Sequence, residues 1–300
     1  MKLLVATPAY GDVLYTPYVR SLLRLQRVLH QRRDTMSHLV VSYAEVSEAR
    51  NFLLTHWLDK TDASHILFVD ADMGFEPALI QRMIARKKPV VGVVYPRRQL
   101  DLDRVTQSVR AGANAARASA RGHDFILRTL RGAQPTRDGF LRVAGVGAGI
   151  LLIERGCIAA MLKKLPGLED KAAAKSMPLA KDLKRLIRAF DPVTVGGARL
   201  SEDFSFCHRW AEECGGEVWA NIDTAVTHVG LFRFGASYAD AGGGKQRVQA
   251  VVGGKAQGAS AGPRIKEGEG PKVVHGKLAM PPKRAKGAAP GKNGGKPVRH

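Results

Sequence analysis

The sequence predicts an α/β protein: a mostly parallel sheet with helices on both faces, followed by a disordered basic tail. Three observations carry this. Strand-length apolar runs alternate with segments of helical periodicity through the first 240 residues. The runs are continuous rather than alternating, as in strands buried on both faces. Residues 241–300 lose this patterning altogether.

Taken in order, residues 2–7 form an apolar strand that ends in a Thr7-Pro8 turn. Residues 18–30 then place Val19, Leu22, Leu23, Gln26 and Leu29 on one helical face, with Arg20, Arg24 and Arg27 elsewhere, completing a βα unit. Residues 39–43 read as a second strand. Ser47 is placed to cap a helix running to about residue 58, with Phe52, Leu53, Trp57 and Leu58 available for burial. A third strand is predicted at 65–69, a helix at 77–86, and further strands at 90–94, 149–153 and 218–220. Between 99 and 139 the pattern loosens into Arg-rich and Ala-rich sequence with a short helix over 101–111 and one or two short strands. No internal repeat is visible.

At 300 residues and 32.5 kDa, with 45% hydrophobic and 25% charged side chains, the chain has ordinary globular composition. Its charge is not ordinary: 47 Lys and Arg against 27 Asp and Glu give +20. Residues 241–300 hold thirteen Lys and Arg against two Glu, or +11, together with fourteen Gly, six Pro and no Phe, Trp or Tyr. We therefore divide the chain into a folded domain, 1–240, and a Gly/Pro/Lys-rich tail, 241–300, that cannot bury enough surface to order itself. Such a tail attracts polyanions without sequence preference, whether nucleic acid or an anionic membrane surface, and a purely solubilising role is equally open. Without aromatics it offers no base stacking.

No run reaches the roughly 18 apolar residues of a membrane span. The N-terminus lacks the longer apolar region and cleavage site of a secretion signal. Cys157, Cys207 and Cys214 form no C-x-x-C. A cytoplasmic protein is expected, with peripheral contact at the inner membrane surface as the most the tail adds.

Three local features bear on chemistry. Asp70-Ala71-Asp72 directly follows the apolar strand 65–69, and in an open α/β sheet ligands bind beyond the carboxyl ends of the strands. Two carboxylates so spaced suit one hard cation, Mg²⁺ or Mn²⁺, completed by water and substrate phosphates. D-x-D also arises by chance, and loop aspartates cap helices. Ser201-Glu202-Asp203 opens a helix, where acids are favoured by the helix dipole but are also placed to act as a general base. His228, after the strand at 218–220, is either structural or a ligand that suits Mn²⁺ better than Mg²⁺.

Together these features resemble GT-A fold, family 2-like glycosyltransferases. The resemblance covers roughly residues 3–235. It runs through Thr7-Pro8-Ala9-Tyr10, Ala49-Arg50-Asn51, Phe68-Val69-Asp70-Ala71-Asp72-Met73-Gly74-Phe75, Val94-Tyr95-Pro96, Val146-Gly147-Ala148-Gly149, Ser201-Glu202-Asp203 and Thr227-His228-Val229-Gly230. It implies a nucleotide-sugar donor, a divalent cation, and transfer to a hydroxyl of a glycan, lipid-linked or protein acceptor. By the same resemblance Asp72 would contact the metal most directly, Asp70 would hold ribose or a metal-bound water, and His228 would close the coordination shell. Thr7, Pro8 and Tyr10 would line the base and ribose pocket, with Arg50 near the base or diphosphate. Gly147 and Gly149 would allow close backbone approach beneath the donor sugar and acceptor. Asp203 would deprotonate the acceptor, oriented by Glu202, with inversion favoured because no second carboxylate stands out as a nucleophile.

Two alternatives remain at this level. A nucleotidyltransferase that makes nucleotide sugars needs a Gly-rich loop where Thr7-Pro8-Ala9-Tyr10-Gly11 stands. A degenerate transferase would bind polyanions through its tail. The cluster Gly145-Val146-Gly147-Ala148-Gly149 is not a dinucleotide fingerprint, because it precedes a strand where a helix is required. Arg97, Arg98, Arg104, Arg110, Arg117 and Arg121 suit an acidic acceptor or a solvated helix face.

Overall fold

The computed structural model describes residues 1–231, so the expectations for the tail at 241–300 lie outside the described residues. In chain order the first half comprises β1 (Lys2–Pro8), α1 (Thr16–Gln31), β2 (Thr35–Val41), α2 (Val46–Lys60), β3 (His65–Val69), β4 (Met73–Gly74), α3 (Pro77–Ala85) and β5 (Val90–Val93). An excursion follows: α4 (Leu102–Arg110), α5 (Ala115–Arg121) and β6 (Leu127–Thr129). Then come β7 (Phe140–Val146), β8 (Ile150–Glu154), α6 (Arg155–Lys164), β9 (Glu169–Asp170), α7 (Lys171–Ser176), β10 (Leu186–Ile187), β11 (Thr194–Val195) and β12 (Ala198–Arg199). α8 (Glu202–His208), β13 (Val218–Asn221) and β14 (Thr227–His228) close the domain.

The sheet is mixed α/β in character, eight strands in the order β2-β1-β3-β8-β5-β13-β7-β6. β1, β2 and β3 are mutually parallel, as are β5 and β13, whereas β8 pairs antiparallel with β3 and β5, and β7 antiparallel with β13 and β6. Only β7 and β8 therefore oppose the common direction within this sheet. Alternate residues of β1 and β3 serve two cores. Leu4, Ala6, Ile66 and Phe68 pack with α2, α6 and α8, and Leu3, Val5, Leu67 and Val69 pack with α1 and α3. Helices thus cover both faces, as the continuous apolar strands require.

Helix α2 shows how the sequence sets this up. Ala49, Phe52, Leu53, Leu54 and Trp57 are buried together with Arg50, Asn51 and Thr55, so the helix is enclosed on several sides. Asn51 is matched on both sides, donating to Asp191 at 2.6 Å and accepting from the Phe190 amide at 2.8 Å, whereas Arg50 Nε is buried without a hydrogen-bond partner. Arg155 gathers the carbonyls at its C-terminal end, bonding Trp57, Leu58, Thr61 and Ala63. Ser47 is not the cap: the helix starts one residue before it, after Glu45, without a side-chain cap.

Candidate functional site

Four chain segments meet at the carboxyl ends of the parallel strands. The end of β1 and the turn after it bring Pro8 and Tyr10, the loop after β2 brings Tyr43, the turn after β3 brings Asp70, Ala71 and Asp72, and the chain after β5 brings Arg98. With Tyr15 they line a cleft of about 440 Å³. Three of the protein's six tyrosines stand in it. Their rings supply flat apolar faces beside two carboxylates.

The acidic turn is held by backbone atoms. The Asp70 amide donates to the Gly149 carbonyl at 2.9 Å, the Tyr15 amide to the Ala71 carbonyl at 3.0 Å, and the Val229 amide to the Asp72 carbonyl at 2.9 Å. β14 pairs antiparallel with β4, which sets His228 opposite Met73. Gly74 lets this happen: a Cβ there would stand 2.9 Å from Pro17 Cβ and 3.3 Å from Thr227 Cβ.

His228 is fixed twice over. Its Nδ1 donates to the Pro96 carbonyl at 2.8 Å, and its ring meets Tyr95 edge-on at 5.3 Å between centroids. A carbonyl only accepts, so Nδ1 carries a proton, and it is the neutral imidazole that offers its lone pair at Nε2, 3.5 Å from Asp72 Oδ2. Burial draws the imidazole's proton affinity down, but the Asp72 carboxylate and the Pro96 carbonyl outweigh it and raise the pKa. Asp72 Oδ2 also meets Arg98 Nη1 at 3.0 Å, while Oδ1 is buried without a hydrogen-bond partner.

That orphaned oxygen beside an imidazole lone pair fits a divalent cation. The oxygen and nitrogen donors suit Mn²⁺ at least as well as Mg²⁺. Among the described residues no group of three or more His, Cys, Asp or Glu gathers for a metal. Asp72 and His228 come together as expected, whereas Asp70 turns Oδ1 to Arg50 Nη2 at 2.7 Å. The chain would offer such an ion two donors, Asp72 and His228, and leave the rest of its shell to water and substrate oxygens.

Arg50 departs from the expected role. It is 3% exposed and lies beneath the cleft, gripping Asp70 with one nitrogen and Glu202 with the other. Burial disfavours its charge, but Asp70, Glu202 and Asp203 more than compensate and hold the guanidinium protonated. Asp70 is pushed upward by burial, with Arg50 pulling against it. Arg50 is thus the counter-ion of the acidic cluster and does not line the cleft.

Three other expected positions are reassigned. Thr7 is wholly buried, its hydroxyl 2.7 Å from the Tyr18 hydroxyl, which in turn lies 2.7 Å from His38 Nε2, so it faces away from the cleft. Burial lifts the Tyr18 phenol to about 12, keeping it neutral. Gly147 and Gly149 make room for Tyr95: a Cβ at Gly147 would come within 2.4 Å of its hydroxyl, and one at Gly149 within 2.7 Å of its ring. The Gly149 amide donates to that hydroxyl at 3.1 Å. Tyr95, buried under the site, stands in the sequence only as part of Val94-Tyr95-Pro96, with no role of its own. The paired small residues at 147 and 149 were the available sign of a large neighbour.

Glu202 and Asp203 open α8 as expected but stand behind the cleft lining. Asp203 is 8% exposed and accepts hydrogen bonds from the Ser201 hydroxyl and from the Phe204 amide at 2.7 Å. Both donors are neutral, whereas Glu202 is committed to Arg50.

No protein-family model matches the chain, and no curated protein is significantly similar to it. Solved structures give distant likenesses. A197 from STIV is 15% identical, with TM-score 0.40 over 76% of this chain and 86% of that one. Mannose-1-phosphate geranyltransferase from Thermus thermophilus is 12% identical, with TM-score 0.38 over 76% of each chain. S. aureus TarS in complex with UDP-GlcNAc is 12% identical, with TM-score 0.32 over 79% of this chain and 60% of that one. Similarity at this level does not carry an activity across. No helix among the described residues is long and apolar enough to cross a membrane.

Proposed function

We propose that the protein is a metal-dependent, GT-A-like glycosyltransferase that moves a sugar from a nucleoside-diphosphate donor to an acceptor hydroxyl with inversion. The observation that supports this most is the pairing of Asp72, with its unpartnered buried oxygen, and the His228 lone pair at the wall of a tyrosine-lined cleft. Asp72 and His228 would hold Mn²⁺ or Mg²⁺. When bound, such an ion neutralises charge on the departing diphosphate.

The chain's own residues supply the rest. Tyr10, Tyr15 and Tyr43 offer faces for the base, and Pro8 shapes the cleft beside them. Arg98 stands on Asp72 Oδ2 and is free to transfer its guanidinium to phosphate oxygens, which it matches in geometry. Asp203 accepts the acceptor's proton, its carboxylate oriented by the Ser201 hydroxyl and the Phe204 amide, which both donate to Oδ1. Glu202 fixes Arg50 and hence the neighbouring acids. The same bonds support inversion, because Asp70 and Glu202 are both ion-paired with Arg50 and no carboxylate stands out as a nucleophile toward the sugar.

Thermal shift against UDP-, GDP-, dTDP- and CMP-linked sugars, with and without Mn²⁺, tests this, since a ligand bound only by the folded state raises Tm. A shift with one nucleotide that requires metal, and that Asp72→Asn abolishes without lowering the apo Tm, is expected. Shifts that ignore metal or survive Asp72→Asn would remove the cation site from the mechanism.

A further inference from the structure

The excursion after β5 builds a second recess that the donor cleft does not use. α4 contributes Arg104 and Gln107 and α5 contributes Arg117 and Arg121, with His123 and Phe125 also lining a groove of about 640 Å³. The spacing is i, i+3 on α4 and i, i+4 on α5, so each helix turns one face to the same space. Arg104 also holds Asp124, at 2.7 Å. Among the described residues Arg117 and Arg121 have no carboxylate partner and are exposed. Residues 97–131 contain eight Arg and no Lys. Guanidinium forks match the oxygens of a phosphate ester in pairs, which lysine does not.

The groove is tied to the cleft. His123 Nδ1 donates to the Gln99 carbonyl at 2.9 Å, and Gln99 adjoins Arg98, which lines the cleft and meets Asp72. The Arg97 amide reaches the Asp124 carbonyl at 2.7 Å, and Pro96 bridges Phe125. These contacts tie the wall of the groove to the segment that carries Arg98.

We propose that this groove binds the phosphate ester of a phosphate-bearing acceptor whose sugar hydroxyl reaches the donor cleft. Naming the bound molecule an acceptor rests on the transferase reading above. A bilayer fits the geometry less well. Leu102 and Val109, 64% and 52% exposed, lie two residues from Arg104 and Gln107, or about 200° around the helix. If they entered a membrane, the groove arginines would point away from its headgroups.

Hydrogen–deuterium exchange on the full chain, with and without short-chain sodium polyphosphate, tests the site, and titration gives its affinity. The expected result is protection across 101–125 and at least a tenfold loss of affinity in Arg117→Gln/Arg121→Gln. Arg20→Gln/Arg27→Gln, which removes the same charge from exposed positions on α1, should bind as the parent does. Equal loss in both double variants, or protection confined to 241–300, would overturn the proposal. So would protection of 101–125 by phosphatidylcholine–phosphatidylglycerol vesicles that polyphosphate does not displace. The donor thermal shift is run on the same samples. Donor binding without groove protection defeats this inference and leaves the transferase reading standing. Groove protection without any donor shift defeats the assignment to an acceptor together with that reading.

Discussion

Replacing Arg50 with methionine keeps most of the side-chain volume and removes one charge from between two carboxylates. Its guanidinium is 3% exposed, with Asp70 at 2.7 Å and Glu202 on the other nitrogen. At an effective dielectric of about 20, each contact at roughly 4 Å is worth about 4 kcal/mol, and desolvating the guanidinium returns several kcal/mol of the total. Breaking such a buried network from one side typically costs about 3–5 kcal/mol, because the partners stay behind uncompensated. Adding Glu202→Gln to Arg50→Met should recover about 1–2 kcal/mol, and adding Asp70→Asn should bring stability near the parent. Urea unfolding of the full chain at neutral pH, followed by Trp57, Trp210 and Trp219 fluorescence without metal or nucleotide, measures this. A loss under about 1 kcal/mol for Arg50→Met, or a deeper loss when Glu202→Gln is added, would refute the counter-ion role and return Arg50 to the donor.

Other outcomes follow from the same geometry. Asp203→Asn should leave the donor-induced thermal shift intact and lower turnover by about 10²–10⁴-fold, and unchanged turnover would move the base elsewhere. Gly147→Ala should destabilise by about 1–3 kcal/mol by pressing on the Tyr95 hydroxyl, with part of the loss recovered in Gly147→Ala/Tyr95→Phe; strict additivity in that cycle would show that the glycine serves another purpose. His38, His56 and His65 all have pKa values lowered by burial, with Lys60 adding to the effect at His56. The folded chain therefore binds their protons more weakly than the unfolded chain, whose histidines titrate near about 6.5. Stability should fall as pH drops through that value toward the folded pKa values, and His65→Asn should flatten the slope of Tm against pH. A slope unchanged by His65→Asn would contradict its share.

The parts of the site legible in the sequence were those set by local pattern. Residues 65–69 are continuously apolar because β3 is buried on both faces, so the acids after it had to fall at a strand end. β2 begins at Thr35 rather than 39 because it is an edge strand, exposed along much of its length, and only its end looks apolar. β8 was found in place, but its direction is not: the antiparallel insertion between β3 and β5 depends on partners distant in sequence. The strand β7 and the helix α5 went unread in or beside Arg-rich and Ala-rich sequence with weak periodicity. Thr7 and Arg50 illustrate a different limit. A threonine at a strand end reads alike whether it faces a ligand or a buried tyrosine, and an arginine in a helix start gives no sign that two acids, one of them about 150 residues away, will enclose it.

What makes the Asp72–His228 pair a sharp test is that the backbone of the turn is held without the Asp72 carboxylate, which meets the side chains of Arg98 and His228. The turn is pinned through the backbone of Asp70, Ala71 and Asp72, the strand β14 lies on β4 because Gly74 leaves room, and His228 is oriented by the Pro96 carbonyl and the edge of Tyr95. Substituting asparagine at position 72 therefore leaves the positions of its neighbours determined by other bonds. It changes the charge seen by His228 and Arg98 and the donor offered to a cation. Loss of metal-linked binding in that variant reports on the oxygen itself, because the frame that presents it is held elsewhere.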